Sequence, residues 1–137
     1  MRKVKAFIER GNDGSFGVYM DLNENKLTYA VSGDGKTAKE AIADFYGAYA
    51  DMKAYYQKVN KPFEEVEFVF HYDIASFLSY YSKVLTLSGL EKLTGVNQRQ
   101  LSHYATGHRR PRPVMVKKIE AALHKFSQDI GQVRFSA

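Results

Sequence analysis

The segment Thr86–Pro113, TLSGLEKLTGVNQRQLSHYATGHRRPRP, leaves the chain few ways to fold. Thr86 and Ser88 are both helix-capping residues, and Ser88 with Glu91 has the spacing of a capping box. Leu90 and Leu93 then share one face at i, i+3, and Gly95 suits the left-handed residue that closes a helix. Val96 plugs the turn. Asn97 caps a second helix, expected from Gln98 to about Thr106, and Gly107 ends it. Leu101, Tyr104 and Ala105 form that helix's inner side, while Gln98, Arg99, Ser102 and His103 point outward. The spacing therefore predicts two short helices about a tight glycine turn, followed by a basic loop.

The outward side chains carry the chemistry. Glutamine and arginine make bidentate contacts with adenine and guanine edges, and serine bonds to either. His108, Arg109, Arg110 and Arg112 follow in the loop, placed to grip phosphates. No acidic residue lies between Lys92 and Lys118. This is the pattern of a helix-turn-helix with its second helix in the major groove. Gln98, Arg99, Ser102 and His103 are the expected base contacts; Asn97, Arg109, Arg110 and Arg112 are the expected backbone contacts. The competing reading is a helical hairpin whose outer face is only solvated.

Charge is divided unevenly along the 137 residues. Residues 1–72 hold ten Lys/Arg against eleven Asp/Glu, whereas residues 73–137 hold ten against four. The C-terminal half is thus suited to a polyanion and the N-terminal half to something else. Hydrophobic residues make up 45% of the chain, as in an ordinary globular protein. Cysteine is absent, which removes disulfides, thiolate metal sites and thiol catalysis. The opening MRKVKAFIERG has no apolar run of signal-peptide length, and nothing later approaches the roughly 18 apolar residues of a membrane span. A cytoplasmic protein is expected.

In the first half, Val4–Glu9 alternates as a strand with Val4, Ala6 and Ile8 on one face. Gly11-Asn12-Asp13-Gly14 turns it into a partner, Ser15–Asp21, with Phe16, Val18 and Met20 apolar. A turn at Asn23-Glu24-Asn25 leads to an expected third strand, Lys26–Val31, alternating through Leu27, Tyr29 and Val31. Ser32-Gly33-Asp34-Gly35 breaks that pattern, and the period becomes helical. Ala38, Ala41, Ile42, Phe45, Tyr49, Met52, Tyr56 and Val59 recur at mostly three- or four-residue steps. Thr37 is the natural cap of this helix, with Glu40 completing a capping box. Val66, Phe68 and Phe70 then alternate as a fourth strand rejoining the sheet. The expected order is β-β-β-α-β, one sheet face covered by one helix.

Asp73 is expected to cap Ile74–Ser82 as the first helix of the DNA-binding unit, with Ile74, Phe77, Leu78 and Tyr81 buried. Pro113 suits the first turn of a final helix, striped by Val116, Ile119, Leu123, Phe126 and Ile130. The tail Gln132–Phe135 offers a short strand that a partner chain could pair with. The fold class is therefore α+β: a sheet domain over 1–72 and an all-α domain over 73–137. Most of the ten tyrosines read as packing residues on amphipathic faces.

Catalysis finds no constellation. Asp13 and Asp34 sit in turns, where aspartate is expected for backbone reasons. Asp44 and Asp51 are seven apart on a helix and share a solvated face, so the paired carboxylates of a metal nuclease, which Asp13, Asp21, Asp34, Asp44 and Asp51 could in principle supply, are not expected. His71 and His124 are on separate elements, and His103 and His108 belong to the basic surface, so no metal site is expected. GDGK at Gly33–Lys36 is too short for a phosphate-binding loop. No enzyme activity and no cofactor are expected.

With these residues set out, the chain resembles HicB-like antitoxins that carry a C-terminal helix-turn-helix. LTGVNQRQLSHYATGHRRPRP followed by VKKIEAALHKF is similar to the segment that follows the sheet domain in one branch of that family. Leu90, Gly95, Val96, Leu101 and Gly107 also match the wider frame of Cro/CI-type repressors. Glu91 departs from it, standing where such repressors usually place an alanine. Gly35-Lys36-Thr37-Ala38-Lys39-Glu40-Ala41 satisfies the family's Gly-x-Thr-x-x-Glu-Ala turn into its helix, although the Pro-Asp motif of many relatives is missing. The resemblance implies a partial ribonuclease-H-like sheet domain without catalytic carboxylates. It also implies a HicA-like, RNA-cleaving toxin as partner, and repression of the shared operon through operator DNA by a homodimer or higher even oligomer. A stand-alone repressor whose N-terminal domain senses a ligand or dimerises is the alternative. A metal-dependent nuclease using Asp21 or Asp44 is the rival from another class.

Overall fold

A computed structural model describes residues 1–23 and 26–137 and divides the chain into two units, Met1–Tyr80 and Tyr81–Ala137. Four strands and two helices form the first: β1 (Arg2–Arg10), β2 (Phe16–Met20), β3 (Ser32–Gly35), α1 (Ala38–Lys58), β4 (Val66–Tyr72) and α2 (Ile74–Tyr80). Three helices form the second: α3 (Leu87–Thr94), α4 (Gln98–Ala105) and α5 (Pro113–Gly131). Of the expected turn at Asn23–Asn25, Glu24 and Asn25 lie outside the described residues.

The sheet order is β3-β2-β1-β4, with β1, β2 and β3 antiparallel in sequence and β4 parallel to β1. The crossover through α1 is what permits that parallel return, since a parallel neighbour cannot be reached by a hairpin. Alternation then assigns the faces. Val4, Ala6 and Ile8 of β1, Phe16, Val18 and Met20 of β2, and Val66 and Phe68 of β4 are buried on one face. Ala38, Ala41, Phe45 and Tyr56 of α1 join them in a single core. Phe45 is fully buried, its ring 4.8 Å from Phe68 in an edge-to-face arrangement, and burial on that scale stabilises by about 2–3 kcal/mol. Thr37 caps α1 as expected, its Oγ1 accepting the Glu40 N–H at 3.1 Å, and Glu40 Oε2 accepts the Lys36 N–H in return.

The third strand is not where the alternation placed it. Among the described residues Lys26–Val31 forms no strand, and β3 is instead Ser32–Gly35, the stretch that looked like a break. The reason is steric. A Cβ built on Gly33 would stand 2.3 Å from the Phe45 backbone nitrogen, and one on Gly35 2.5 Å from that of Ala41. Helix α1 lies directly on this edge, so only glycine can occupy the positions facing it. Tyr29 and Val31 are nonetheless buried, which explains their alternation. Tyr29 stacks on Phe63 at 4.5 Å and donates its hydroxyl to the Glu64 carbonyl at 2.6 Å.

The domain boundary expected at 72/73 also moves, because α2 belongs with the sheet. Asp73 does cap α2, accepting the Ser76 N–H at 2.7 Å through Oδ1. Its Oδ2 simultaneously accepts the Arg10 N–H at 2.9 Å, and its own N–H donates to the Ile8 carbonyl at 3.0 Å. One side chain thus fastens the start of α2 to the end of β1. Tyr80 in the last turn meets Tyr72 of β4 with ring centroids 5.8 Å apart. The first unit therefore extends to Tyr80, and the helical unit is built from three helices without α2.

Candidate nucleic-acid interface

The second unit is small, and its core is correspondingly sparse: Leu90, Thr94, Val96, Leu101, Tyr104 and Ile119 are its buried residues. Helix α3 is capped by Thr86, whose Oγ1 accepts the Gly89 N–H at 3.0 Å; Ser88, the other candidate, lies within the helix. Gly95 ends α3 at φ +76, the left-handed conformation that glycine adopts without strain, and Gly107 at φ +77 follows α4. Val96 fills the turn between them, 3% exposed. Asn97 Oδ1 caps α4 by accepting the Gln100 N–H at 2.8 Å.

Three contacts in this hairpin escape a reading of the sequence. Glu91 does not box its own helix: its Oε1 accepts the Gln98 N–H at 2.9 Å, so α3 supplies a second cap to α4. Thr94 is buried with its hydroxyl donating to the Leu90 carbonyl at 2.7 Å and accepting the Val96 N–H at 3.1 Å. Gln100 is half-buried, its Nε2 donating to the Tyr104 hydroxyl at 2.7 Å. For Glu91 the available signal was its departure from the alanine of similar repressors; for Thr94 and Gln100 the pattern held none.

The eight proposed contact residues divide into groups. Gln98 and Arg99, in the first turn of α4, are exposed. Ser102 and His103, one turn on and on the same side at i, i+4, are half-buried. Asn97 is exposed, but its Oδ1 is engaged in the cap, which leaves its Nδ2 donors for a phosphate oxygen. Arg109, Arg110 and Arg112 are exposed in the loop before α5. None of Arg99, Arg109, Arg110 and Arg112 has an ion-pair partner among the described residues. The loop folds back on α4: the Arg109 N–H donates to the His103 carbonyl at 3.2 Å, and the His103 and His108 rings meet edge-on at 4.9 Å. Unpaired guanidiniums beside an exposed helix start have the chemistry to attract phosphates at long range and to bond base edges at short range.

Elsewhere, chemistry is thin. Among the described residues no group of three His, Cys, Asp or Glu side chains is gathered as a metal site. Asp44 Oδ2 accepts the Asp34 N–H at 2.9 Å and so ties the edge strand β3, where Asp34 lies rather than in the expected turn, to α1, while Asp13 caps its own turn through Ser15. Those hydrogen bonds from Ser15 hold the Asp13 carboxyl below its ordinary range. No helix is long and apolar enough to cross a membrane among the described residues.

The sheet face opposite α1 is the other notable surface. Phe7 pairs in register with Tyr19 on one side and His71 on the other, and the three rings line up across β2, β1 and β4 at 5.4 and 6.0 Å. Next to this row lies a groove lined by Lys3, Lys5, Asp21, Val69 and His71. Tyr19 donates its hydroxyl to Glu9 Oε1 at 2.6 Å, which together with burial pushes the phenol up to about 12.

Residues 85–125 match the helix-turn-helix family model, which covers α3, α4 and the larger part of α5. The second unit thus carries a DNA-binding helix-turn-helix of the Cro/CI type, as found in transcription regulators. No curated protein and no solved structure matches the chain significantly.

Proposed function

We propose that the chain is a repressor and antitoxin: the second unit docks α4 in the major groove of its own operator, and the sheet unit captures a HicA-like toxin. The observation that carries the DNA half is the exposed Gln98–Arg99 start of α4 beside three unpaired arginines, within a matched helix-turn-helix. Two copies bind the two halves of a palindrome, since one such unit covers too little DNA for operator-grade affinity. Gln98, Arg99, Ser102 and His103 meet bases; Asn97, Arg109, Arg110 and Arg112 meet the backbone.

Support for the toxin half comes from the first unit. Through β4 its order is the β-β-β-α-β expected of the partial ribonuclease-H-like domain, with α2 added after it, and the Gly35–Ala41 turn enters α1 through the Thr37–Glu40 cap. The row of Tyr19, Phe7 and His71, alternating with the buried residues of the same strands, offers a protein partner an aromatic surface on the face of the sheet opposite its core. A binding role in the cytoplasm, without catalysis, follows from this reading. Co-expression with the product of the adjacent gene tests it. Co-purification of a small ribonuclease together with growth rescue is expected; a toxin that neither co-purifies nor is neutralised sinks the antitoxin half and leaves the repressor.

A stand-alone repressor whose sheet unit senses a small ligand is the second reading. The groove of Lys3, Lys5, Asp21 and His71 favours it, because such a mixture of charges suits a polar metabolite. Release of operator DNA by a metabolite, with no dependence on any neighbouring protein, would distinguish it.

A further inference from the structure

We propose that residues 120–137, the outer part of α5 with the segment after it, form the contact by which two copies of this chain pair antiparallel about Gln128. Ile119 is the buried residue of α5, and none of the residues from Glu120 onward is buried. The apolar stripe nevertheless continues: Leu123 is half-buried, Phe126 is 36% exposed, Ile130 55%, Val133 46% and Phe135 93%. A row of large apolar side chains left in water is the mark of an interface. Residues 126–137 also lie outside the matched helix-turn-helix, so the DNA-binding hairpin does not need them.

Charge points to a second copy as the occupant. From Tyr81 to Ile119 the unit holds eight Lys/Arg and one acid, Glu91. From Glu120 to Ala137 it holds two of each: Lys125 and Arg134, Glu120 and Asp129. The part before Glu120 is net positive, so two copies meet less repulsion at the neutral end than they would across the rest of the unit. The stripe is also symmetric. Position 123 is as far before Gln128 as 133 is after it, and 126 and 130 are likewise equidistant. An antiparallel pair with its two-fold axis at Gln128 therefore sets each Phe126 on the partner copy's Ile130, and each Leu123 near the partner copy's Val133. The Val133 N–H donates to the Ile130 carbonyl at 3.2 Å, which keeps Val133 close to the helical path. A two-fold interface must be self-complementary in this way.

The inference rests on the paired-half-site reading for its purpose but not for its evidence. Sedimentation of the full chain tests it. Wild type is expected to be dimeric, and Phe126→Lys and Ile130→Glu are each expected to weaken self-association by roughly a hundredfold. Both side chains are exposed, so circular dichroism should show an unchanged helix content; should either variant misfold, Val133→Lys serves in its place.

Mixing gives the specific readout. In an antiparallel pair, Phe126→Lys protein with Ile130→Glu protein places lysine on glutamate at one contact and isoleucine on phenylalanine at the other. The 1:1 mixture should therefore dimerise where neither variant does alone. In a parallel pair position 126 faces 126, and mixing rescues nothing. A monomeric wild type, variants that remain dimeric, or a mixture that stays monomeric each overturns the proposal. Failure of the DNA reading looks different: a wild-type dimer with the expected variant behaviour that binds no duplex leaves this interface standing. A monomer that still prefers one DNA sequence removes the interface alone.

Discussion

The Glu91 carboxylate on α3 accepts the backbone N–H of Gln98, the first residue of α4, at 2.9 Å. The two helices of the hairpin are thereby joined by a charge-assisted bond at the end of α4 that faces DNA in the proposed complex. A negative charge at a helix N-terminus is favourable in itself, and here it also fixes the angle at which α4 leaves the turn. It sits in the one acidic side chain of a stretch otherwise rich in lysine and arginine.

Glu91→Ala should accordingly cost about 1 kcal/mol, the usual worth of an N-terminal cap, and Glu91→Gln less because the acceptor oxygen remains. Hydrogen exchange at the Gln98 amide is the direct measurement. Unchanged protection of that amide in Glu91→Ala would show that the bond does not hold the helix end.

Arg99 and Arg110 differ in what they are placed to touch. Arg99 is exposed in the first turn of α4, whereas Arg110 lies in the loop beyond it. Arg99→Ala should cost about 1–3 kcal/mol on the operator and relax preference at one base pair. Arg110→Ala should weaken specific and random duplexes alike and lower the slope of log affinity against log salt by about one. Fluorescence anisotropy across a salt series separates these outcomes. Equal losses on both duplexes for both variants would refute the division of roles.

How much of this was legible depends on whether a residue's neighbours were local. The hairpin turn was readable because Gly95, Val96 and Asn97 act within a few residues of themselves. The Thr37 cap was readable for the same reason. Strand β3 was not, because what makes Gly33 and Gly35 a strand is the backbone of α1 pressed against them, and no local pattern encodes that. The same holds for α2: Asp73 announces a helix start, but its second oxygen is committed to Arg10, 63 positions earlier. In α5 the spacing marks Val116, Ile119, Leu123, Phe126 and Ile130 as one helical face, yet of these only Ile119 is buried, since periodicity marks a face without saying whether this chain covers it.

Gly33 gives the steepest test of the sheet–helix contact. An added methyl would meet the Phe45 nitrogen at 2.3 Å and the Ala41 carbonyl oxygen at 2.5 Å, both backbone atoms unable to step aside. Gly33→Ala should destabilise the first unit by roughly 3 kcal/mol. Gly47→Ala is the control, because a Cβ there meets nothing within 4 Å and α1 gains from the better helix former, by up to about 1 kcal/mol. Urea unfolding that ranks the two variants in the reverse order would contradict the contact.

Tyr19 should titrate late. Its hydroxyl donates to Glu9, and that bond, with burial and the Glu9 charge, pushes the phenol up to about 12 from an ordinary value near 10. The native state thus favours the protonated phenol. The bond's contribution is whole below pH 10 and is lost as pH climbs from there through about 12. Difference absorbance of tyrosinate should show Tyr19→Phe lacking a component at the alkaline end, and Glu9→Gln shifting that component downward. A missing component centred near pH 10 would mean that the bond does not persist in solution.

Ser76 supplies the last test, and it runs toward stability. Its side chain is fully buried in α2, and its Oγ has no hydrogen-bond partner among the described residues. Burying a hydroxyl without a partner costs about 1–3 kcal/mol, whereas the backbone N–H of the same residue is already satisfied by Asp73. Ser76→Ala removes the orphaned oxygen and leaves the cap intact, so it should raise the stability of the first unit by up to about 1 kcal/mol. For a unit of this size that is a rise in Tm of roughly 4–8 °C. The gain should appear in the unfolding of the sheet unit and not of the helix-turn-helix, because α2 is fastened to β1 through Asp73. A lower Tm for Ser76→Ala would place a partner on that hydroxyl, and a change confined to the second unit would return α2 to the DNA-binding side.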